Sequence, residues 1–600
     1  LLRGWVTLAH WLAEEAETRE VRRRLEATAR EWARTGYSAE TLWGERALGE
    51  ARGLEPAELP ERERRFLEAS RRELRRRRRR RRALAAGFLL SLLAAVGVVR
   101  LRAVLERERA ADAELAVARE HQEVAARALE ALAAAERQAF VAFDTGRLKE
   151  AEDAWAEARK QAAEADAHQA RLGEALERAL ALAPGREDVR GQLADALLAR
   201  AGRADAAGQE GLRDVLASRL QLVDTEGGRW ARWTAPARLE VLRPSGARLS
   251  VRRYTPGDTG ALGLEDVAAG QDALSLPAGS YLLTLHPEAG PEVRLPLVLE
   301  RGERRQVRLE PPPVATPPGF AWVPPGRFLF GSAADESVRQ FFNAAPRHPV
   351  ETAGYFIGRH EVTWAEYLAF LEALPPGRRE EHLPRAGSTG LYGSLELTRG
   401  TDGRWTLALQ PTTQRLVARQ GEPLRYPGRK ARAEVAWEKL PVVGIRYADA
   451  QAYAAWLDST GRVPGARLCT ELEWERAARG ADGREYPHGN RLLPEDANFD
   501  LTYGKEPLAF GPDEVGSHPA SASPFGVQDL AGNVWEWTDS ILNPGRPVAR
   551  GSSYYFSAST CRATNREAPE PSFRDLTVGM RLCAGPSPVA LPGGLQAREP

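Results

Sequence analysis

The stretch DLAGNVWEWTDS, Asp529 to Ser540, decides how the C-terminal half is read. Gly532 and Asn533 suit a tight turn, because both residue types tolerate backbone angles closed to most others. Trp535 and Trp537 then alternate as side chains do along a strand. Upstream, ELEWERAARG (Glu471 to Gly480) places Trp474, Ala477 and Ala478 on one helical face, while Leu472 and Glu475 form no stripe. Most of these residues predict scaffold rather than chemistry.

Moving outward, the motifs occur in a set order from Gly319. They are GFAWVPPGRFLFGS, HPVETAGYFIGRHEVTWAEYLAFL, LPVVGIRYADAQAYAAWL and GARLCTELEWERAARGADGREYPHGN. ANFD and VGSHPASASPFGVQDLAGNVWEWTDS follow, then RGSSYYFSASTCRAT and finally VGMRLCA. This order resembles the formylglycine-generating enzyme, or sulfatase-modifying factor, family. The resemblance covers about Gly319 to Gly585, with an insertion near 375–436, and the domain is drawn at 319–587. It implies the irregular α/β fold shared with C-type lectins.

The family resemblance also implies chemistry, and here the chain departs from it. The family's two cysteines bind copper(I) and use oxygen to convert a substrate cysteine to formylglycine, and paired thiolates suit a soft monovalent metal. In RGSSYYFSASTCRAT, Cys561 falls on the second cysteine and Phe556 on the first. Phenylalanine cannot ligate, so copper catalysis is disfavoured and Cys561 is weighed against a small buried residue. Related sulfoxide synthases use histidine-held iron, with a His-x3-His-x-Glu run. No such run is present: His121 and His168 read as isolated, and His348, His360, His488 and His518 are scattered. Iron in a three-dimensional cluster stays open.

The family's second calcium site carries over onto Asp529 and Glu536 side chains with the carbonyls of Gly532 and Val534, a hard-oxygen set. The alternative for Glu536 is a buried ion pair. Asn498 and Phe499 match the start of the first calcium site, but its partners fall near Pro507 and Ala509, which do not match. Arg550, Arg562, Arg566, Arg574 and Arg581 lie near the family's substrate groove and could grip a carboxylate or acidic peptide. Their alternative is structural pairing with Glu567, Glu570 and Asp575.

The rest of the chain is a multidomain assembly of α and α+β pieces, as 600 residues require. Net charge is +1, which sets up no global field for nucleic acid. Three cysteines are too few for a disulfide framework. Residues 1–74 carry apolar residues at helical spacing (Trp5, Leu8, Trp11, Leu12, Leu25, Trp32, Leu42) and predict a small bundle packed on its tryptophans. Eight arginines, Arg75 to Arg82, abut the uncharged run Ala83 to Val99. At about 1.5 Å per residue that run reaches roughly 26 Å, enough to span a bilayer with snorkelling ends. The region 75–100 therefore predicts one transmembrane helix, with 1–82 cytoplasmic and 100–600 extracytoplasmic. Residues 101–224 predict a helical spacer of tetratricopeptide or coiled-coil type. Residues 230–311 alternate in strands and predict a β-sandwich that resembles the PEGA family, and 312–318 is a stiff proline linker.

The N-terminal segment resembles the helical tail of bacterial STAND-type signalling NTPases, and similar C-terminal domains occur behind bacterial Ser/Thr kinases. No phosphate-binding loop or kinase signature is present. The chain opens at Leu1 inside a helical pattern, without a signal peptide, and reads as the C-terminal part of a longer protein with its signalling domain upstream. Heavy Arg and Ala usage points to a GC-rich bacterial genome. The expectation is a single-pass signalling protein of the inner membrane whose external domain binds a protein or peptide ligand. The rival is an oxygen-dependent oxidoreductase working through Cys561 or another metal site.

Overall fold

The computed structural model describes residues 2–387, 393–542 and 544–585, with the backbone alone at 2–10 and 12. Residues 586–587 of the predicted C-terminal domain and 388–392 of the predicted insertion lie outside the described residues. The chain forms two compact units, Leu1–Ala113 and Glu114–Pro600.

The first unit begins with the helix Leu2–Arg34. Its core gathers Leu25, Trp32, Leu48, Phe66 and Leu67, with Phe66 edge-on to both Trp32 and Trp43. Two of the predicted core residues behave differently: Trp11 is 72% exposed and Leu42 packs at the margin. The side chains of Trp5, Leu8 and Leu12 lie outside the described residues.

The arginine collar and the apolar run are not a separate element. They belong to one continuous helix, Glu61–Asp144, of 84 residues. The sequence between those ends holds no proline to stop it. Along 83–99 the apolar side chains are exposed, and among the described residues this is the one helix long and apolar enough to cross a membrane. A buried core helix, the main alternative for such a run, would not leave Phe88 72% exposed.

In the second unit the end of this helix packs against Leu148–Leu182, where Ala139, Ala142 and Phe143 share a core with Ala151 and Ala154. Gly146 makes the connecting turn at φ +72°, and a Cβ there would collide with the carbonyl of Ile541. The turn therefore seats directly on the C-terminal domain. Helices Glu187–Ala206 and Glu210–Val223 follow as a pair. Lengths of 35, 20 and 14 residues do not make an even tetratricopeptide array.

Residues 237–308 form two sheets over one core. One holds Ala273–Leu276, Ala237–Leu242 and Arg304–Arg308. The other holds Leu262–Ala269, Arg248–Pro256, Gly279–His286 and Val293–Leu299. Leu239, Val251, Leu283 and Leu297 fill the space between.

The C-terminal region is α+β with several small sheets. A four-stranded sheet orders Arg467–Leu468, Leu582–Ala584, Tyr355–Gly358 and Phe320–Val323. A three-stranded sheet sets Trp535–Ile541 between Pro547–Arg550 and Val578–Met580. The insertion folds as a meander around Trp405–Gln410, and its Trp405 and Leu407 join the same core as Trp364, Trp437 and Trp537.

Three cysteines give no disulfide framework, but they do give one cross-link that the sequence reading did not raise. Cys469 and Cys583 form a disulfide, tying the strand before helix Glu471–Arg479 to the last strand. Single-sequence spacing carries no sign of it, because 114 residues separate the pair. Closing so long a loop should stabilise by about 2–5 kcal/mol. Replacing both residues with Ala is expected to lower the denaturant midpoint accordingly, and an unchanged midpoint would contradict a native cross-link.

Candidate functional site

The turn read from the sequence is present. Gly532 and Asn533 both take positive φ, at 81° and 61°. Gly532 needs to be glycine on a second count, because a Cβ would run into the carbonyl of Asn498. The strand that leaves this turn carries Glu536 into the interior, 0% exposed.

Glu536 is an ion-pair partner as the chain is arranged. Arg581 donates to both of its oxygens, at 2.7 and 2.9 Å, and the Trp474 indole donates at 2.6 Å. Asp529 accepts the Gly516 amide at 2.6 Å. Asn498 spends its side-chain amide on the Gly511 carbonyl and on Asn533. Asp529, Gly532, Val534 and Glu536 thus share one turn and strand, but the carboxylate that would matter most to a calcium ion has no open oxygen. In this arrangement Glu536 is committed to Arg581 and Trp474 and is not turned towards a cation. Asn498, likewise, belongs to the scaffold.

The sequence reading passed over Glu361, in the GRHEVTW segment. It is buried beside the same pair. Its Oε1 accepts from Asn533 at 3.0 Å, and its Oε2 lies 3.9 Å from Arg581 without a hydrogen bond among the described residues. Burial raises Glu361 well above the carboxylate range, and the Asp529 charge adds to this, with Arg581 opposing. Burial raises Glu536 as well, again against Arg581. Three carboxylates around one guanidinium cannot all ionise cheaply, and Glu361, which makes no hydrogen bond to Arg581, is the one pushed furthest towards its neutral form.

The thiol site is closed. Cys561 is 0% exposed among Tyr486, Leu492, Ala497, Phe499 and Ala531. Burial pushes its thiol up to about 12, against the Ser552 hydroxyl, which lowers it. The thiolate is both nucleophile and metal ligand, and this environment suppresses it. Phe556 packs edge-on against Trp535, ring centroids 6.0 Å apart, at the margin of the main core. Where the family resemblance implies a first thiol, this chain has a packing residue.

The arginines are structural, but not with the expected partners. Arg550 pairs with Glu475 and caps the carbonyls of Ala563 and Asn565. Arg566 meets Glu471 at 2.9 Å, and Arg562 meets Glu485 at 3.4 Å. Arg550 and Arg566 are 0% and 1% exposed, so neither can reach a ligand. The acids that pair with Arg550 and Arg566 come from helix Glu471–Arg479, which is buried nearly all round rather than on one face. Glu567 and Glu570 are not the partners of these three.

The histidines are held one by one. His348, His488 and His518 bond Asp144, Asp496 and Asp513, and burial lowers His360 beside Asp529. His121 and His168 are not isolated: their Nδ1 atoms lie 3.1 Å apart across the helical hairpin. Sequence spacing could not show this, since the two sit on different helices. Among the described residues no three His, Cys, Asp or Glu side chains group to hold a metal.

The Glu361 assignment carries a signed pH dependence. A carboxyl raised on folding contributes stability that is intact below the ordinary value of 4.5 and is lost as pH climbs towards the folded value. Glu361→Gln is therefore expected to match the parent near pH 4 and to melt about 3 °C or more higher at pH 8, roughly 1 kcal/mol, in chelator-treated buffer. A variant that melts lower at pH 8 would show that Glu361 is ionised there.

A model of the sulfatase-modifying factor enzyme 1-like domain matches residues 306–585. Mouse inactive C-alpha-formylglycine-generating enzyme 2 is 31% identical to the chain, the match covering 45% of this chain and 86% of that protein. Mouse formylglycine-generating enzyme is 28% identical over 45% of this chain and 75% of its own length. A hercynine oxygenase from Mycolicibacterium thermoresistibile is 30% identical over 42% of this chain and 56% of its own length. Through its C-terminal half, the chain belongs to the sulfatase-modifying factor family.

Proposed function

We propose that this family domain acts as a binding module and not as an oxidase, on the outer end of a membrane-anchored signalling chain. The observation that carries the reading is the thiol site. Phe556 stands in the first cysteine's place, and Cys561 is sealed in apolar surroundings that hold it as a thiol. Copper(I) chemistry of the kind the family resemblance implies needs two open thiolates. The relatives themselves divide, one named inactive, one a formylglycine-generating enzyme and one a hercynine oxygenase, so the scaffold does not dictate the chemistry.

Two observations support the placement. The exposed apolar run at 83–99 directly follows Arg75 to Arg82, a cytoplasmic anchor under the positive-inside rule. The Cys469–Cys583 disulfide suits an oxidising compartment outside that membrane. In this reading residues 1–82 face the cytoplasm, a protein or peptide is the external ligand, and the signal is passed inward along the chain.

The test is the reactivity of Cys561 in the full chain, purified in non-ionic detergent. Iodoacetamide at pH 8 is expected to leave Cys561 unmodified in the folded protein, by intact-mass measurement, and to modify it fully after unfolding. Rapid modification of the folded protein would mean an accessible thiolate. It would favour the rival reading, an oxygen-dependent oxidoreductase working through Cys561.

A further inference from the structure

A cleft of about 730 Å³ opens where the helical pair, the β-sheet piece and the C-terminal domain meet, all within the second unit. Its wall carries six arginines, Arg213, Arg232, Arg301, Arg305, Arg327 and Arg347, against two carboxylates, Asp205 and Glu300. Four of the six have carboxylate partners close by. Arg213 pairs with Asp214 at 2.8 Å, Arg232 with Asp195 at 3.2 Å and Arg327 with Glu300 at 3.3 Å. Arg301 pairs with Asp205 and lies flat over the Trp233 ring, 4.0 Å from its centre.

Arg305 and Arg347 are different. Both are half-buried, and each donates to a backbone carbonyl, Arg305 to Val298 at 3.0 Å and Arg347 to Ala206 at 2.8 Å. The nearest carboxylate to Arg305 is Glu303, at 3.9 Å, and no ion pair is found for Arg347 among the described residues. Burial lowers both guanidiniums from their ordinary value; Glu303 opposes this at Arg305 while Arg327 adds to it, and Arg479 adds to it at Arg347. A partly desolvated cation whose hydrogen bonds go to a carbonyl and not to a carboxylate is costly, and an anion is its natural complement.

We propose that this cleft binds a small multivalent anion bearing phosphate or carboxylate groups, with Arg305 and Arg347 as the two principal contacts. The volume falls within the range of small-molecule sites. Planar guanidiniums on separate walls suit two-pronged recognition of such groups. Because the wall is drawn from three pieces of the chain, an occupant would tie them together. The site is separate from Cys561 and does not depend on the reading of the thiol.

Calorimetric titration of the full chain in non-ionic detergent with pyrophosphate, and separately with citrate, tests this. One of the two is expected to bind at one per chain, to raise the melting midpoint, and to weaken at 0.5 M sodium chloride. The tighter of the two identifies the phosphate or the carboxylate chemistry. Arg305→Gln should weaken binding about tenfold or more, with Arg305→Lys between, since it keeps the charge but loses the fork. Arg347→Gln should do the same. If that variant loosens the Ala206 contact and melts early, the two Arg305 variants decide alone. No saturable binding of either probe, or binding unchanged in Arg305→Gln, would overturn the proposal.

Discussion

The buried contact of Arg581 with Glu536 holds the C-terminal domain together. It joins the strand after the Gly532–Asn533 turn to the penultimate strand of the chain, and Trp474 brings helix Glu471–Arg479 to the same carboxylate. Arg581 also donates to the carbonyls of Gly358 and Gln528, so one guanidinium ties its own segment to the 528–536 stretch and to the strand ending at Gly358. Removing one member of a buried pair leaves an uncompensated charge and typically costs about 3–5 kcal/mol. The same logic repeats around Glu475, which accepts from the Gly331 amide and pairs with Arg479 and Arg550. The Arg429–Asp513 pair adds a further case, with Arg429 set against the rings of Tyr426 and Tyr503. These buried charge pairs link segments distant in sequence alongside the apolar core built on Trp364, Trp437 and Trp537.

This accounts for what was legible in the sequence. The turn at Gly532–Asn533 and the strand after it could be read locally, because backbone freedom and side-chain alternation are local properties. So could the sandwich strands around Leu239 and Leu283, whose burial alternates or runs continuously as the pattern requires. Helix Glu471–Arg479 could not. Its charged residues argue for a solvated face, yet Glu471, Glu475, Arg476 and Arg479 are buried because partners arrive from 75 to 152 residues away. The pairing of Cys469 with Cys583, the meeting of His121 with His168 and the burial of Glu361 are likewise products of tertiary contact, with no periodic signature. The continuous helix Glu61–Asp144 was divided in the sequence reading because composition changes sharply along it, whereas the backbone needs only the absence of a stop.

The candidate site was legible in outline and not in detail. Aligning Cys561 and Phe556 left one thiol in place of two, and the structure buries that thiol completely among mainly apolar residues. The calcium set came from resemblance, and the arrangement of Glu536 turns its oxygens towards Arg581 and Trp474 instead. Of the arginines read as a possible ligand grip, Arg550, Arg566 and Arg581 lie under the surface.

The most direct test of the central claim is the metal content of the full chain after purification, with copper(I) then titrated in against a competing chelator. A binding module predicts copper and iron far below one per chain, with no saturable copper uptake that depends on Cys561. Stoichiometric copper or iron that disappears in Cys561→Ala would contradict it, and would make Phe556 a variation within a working oxidase.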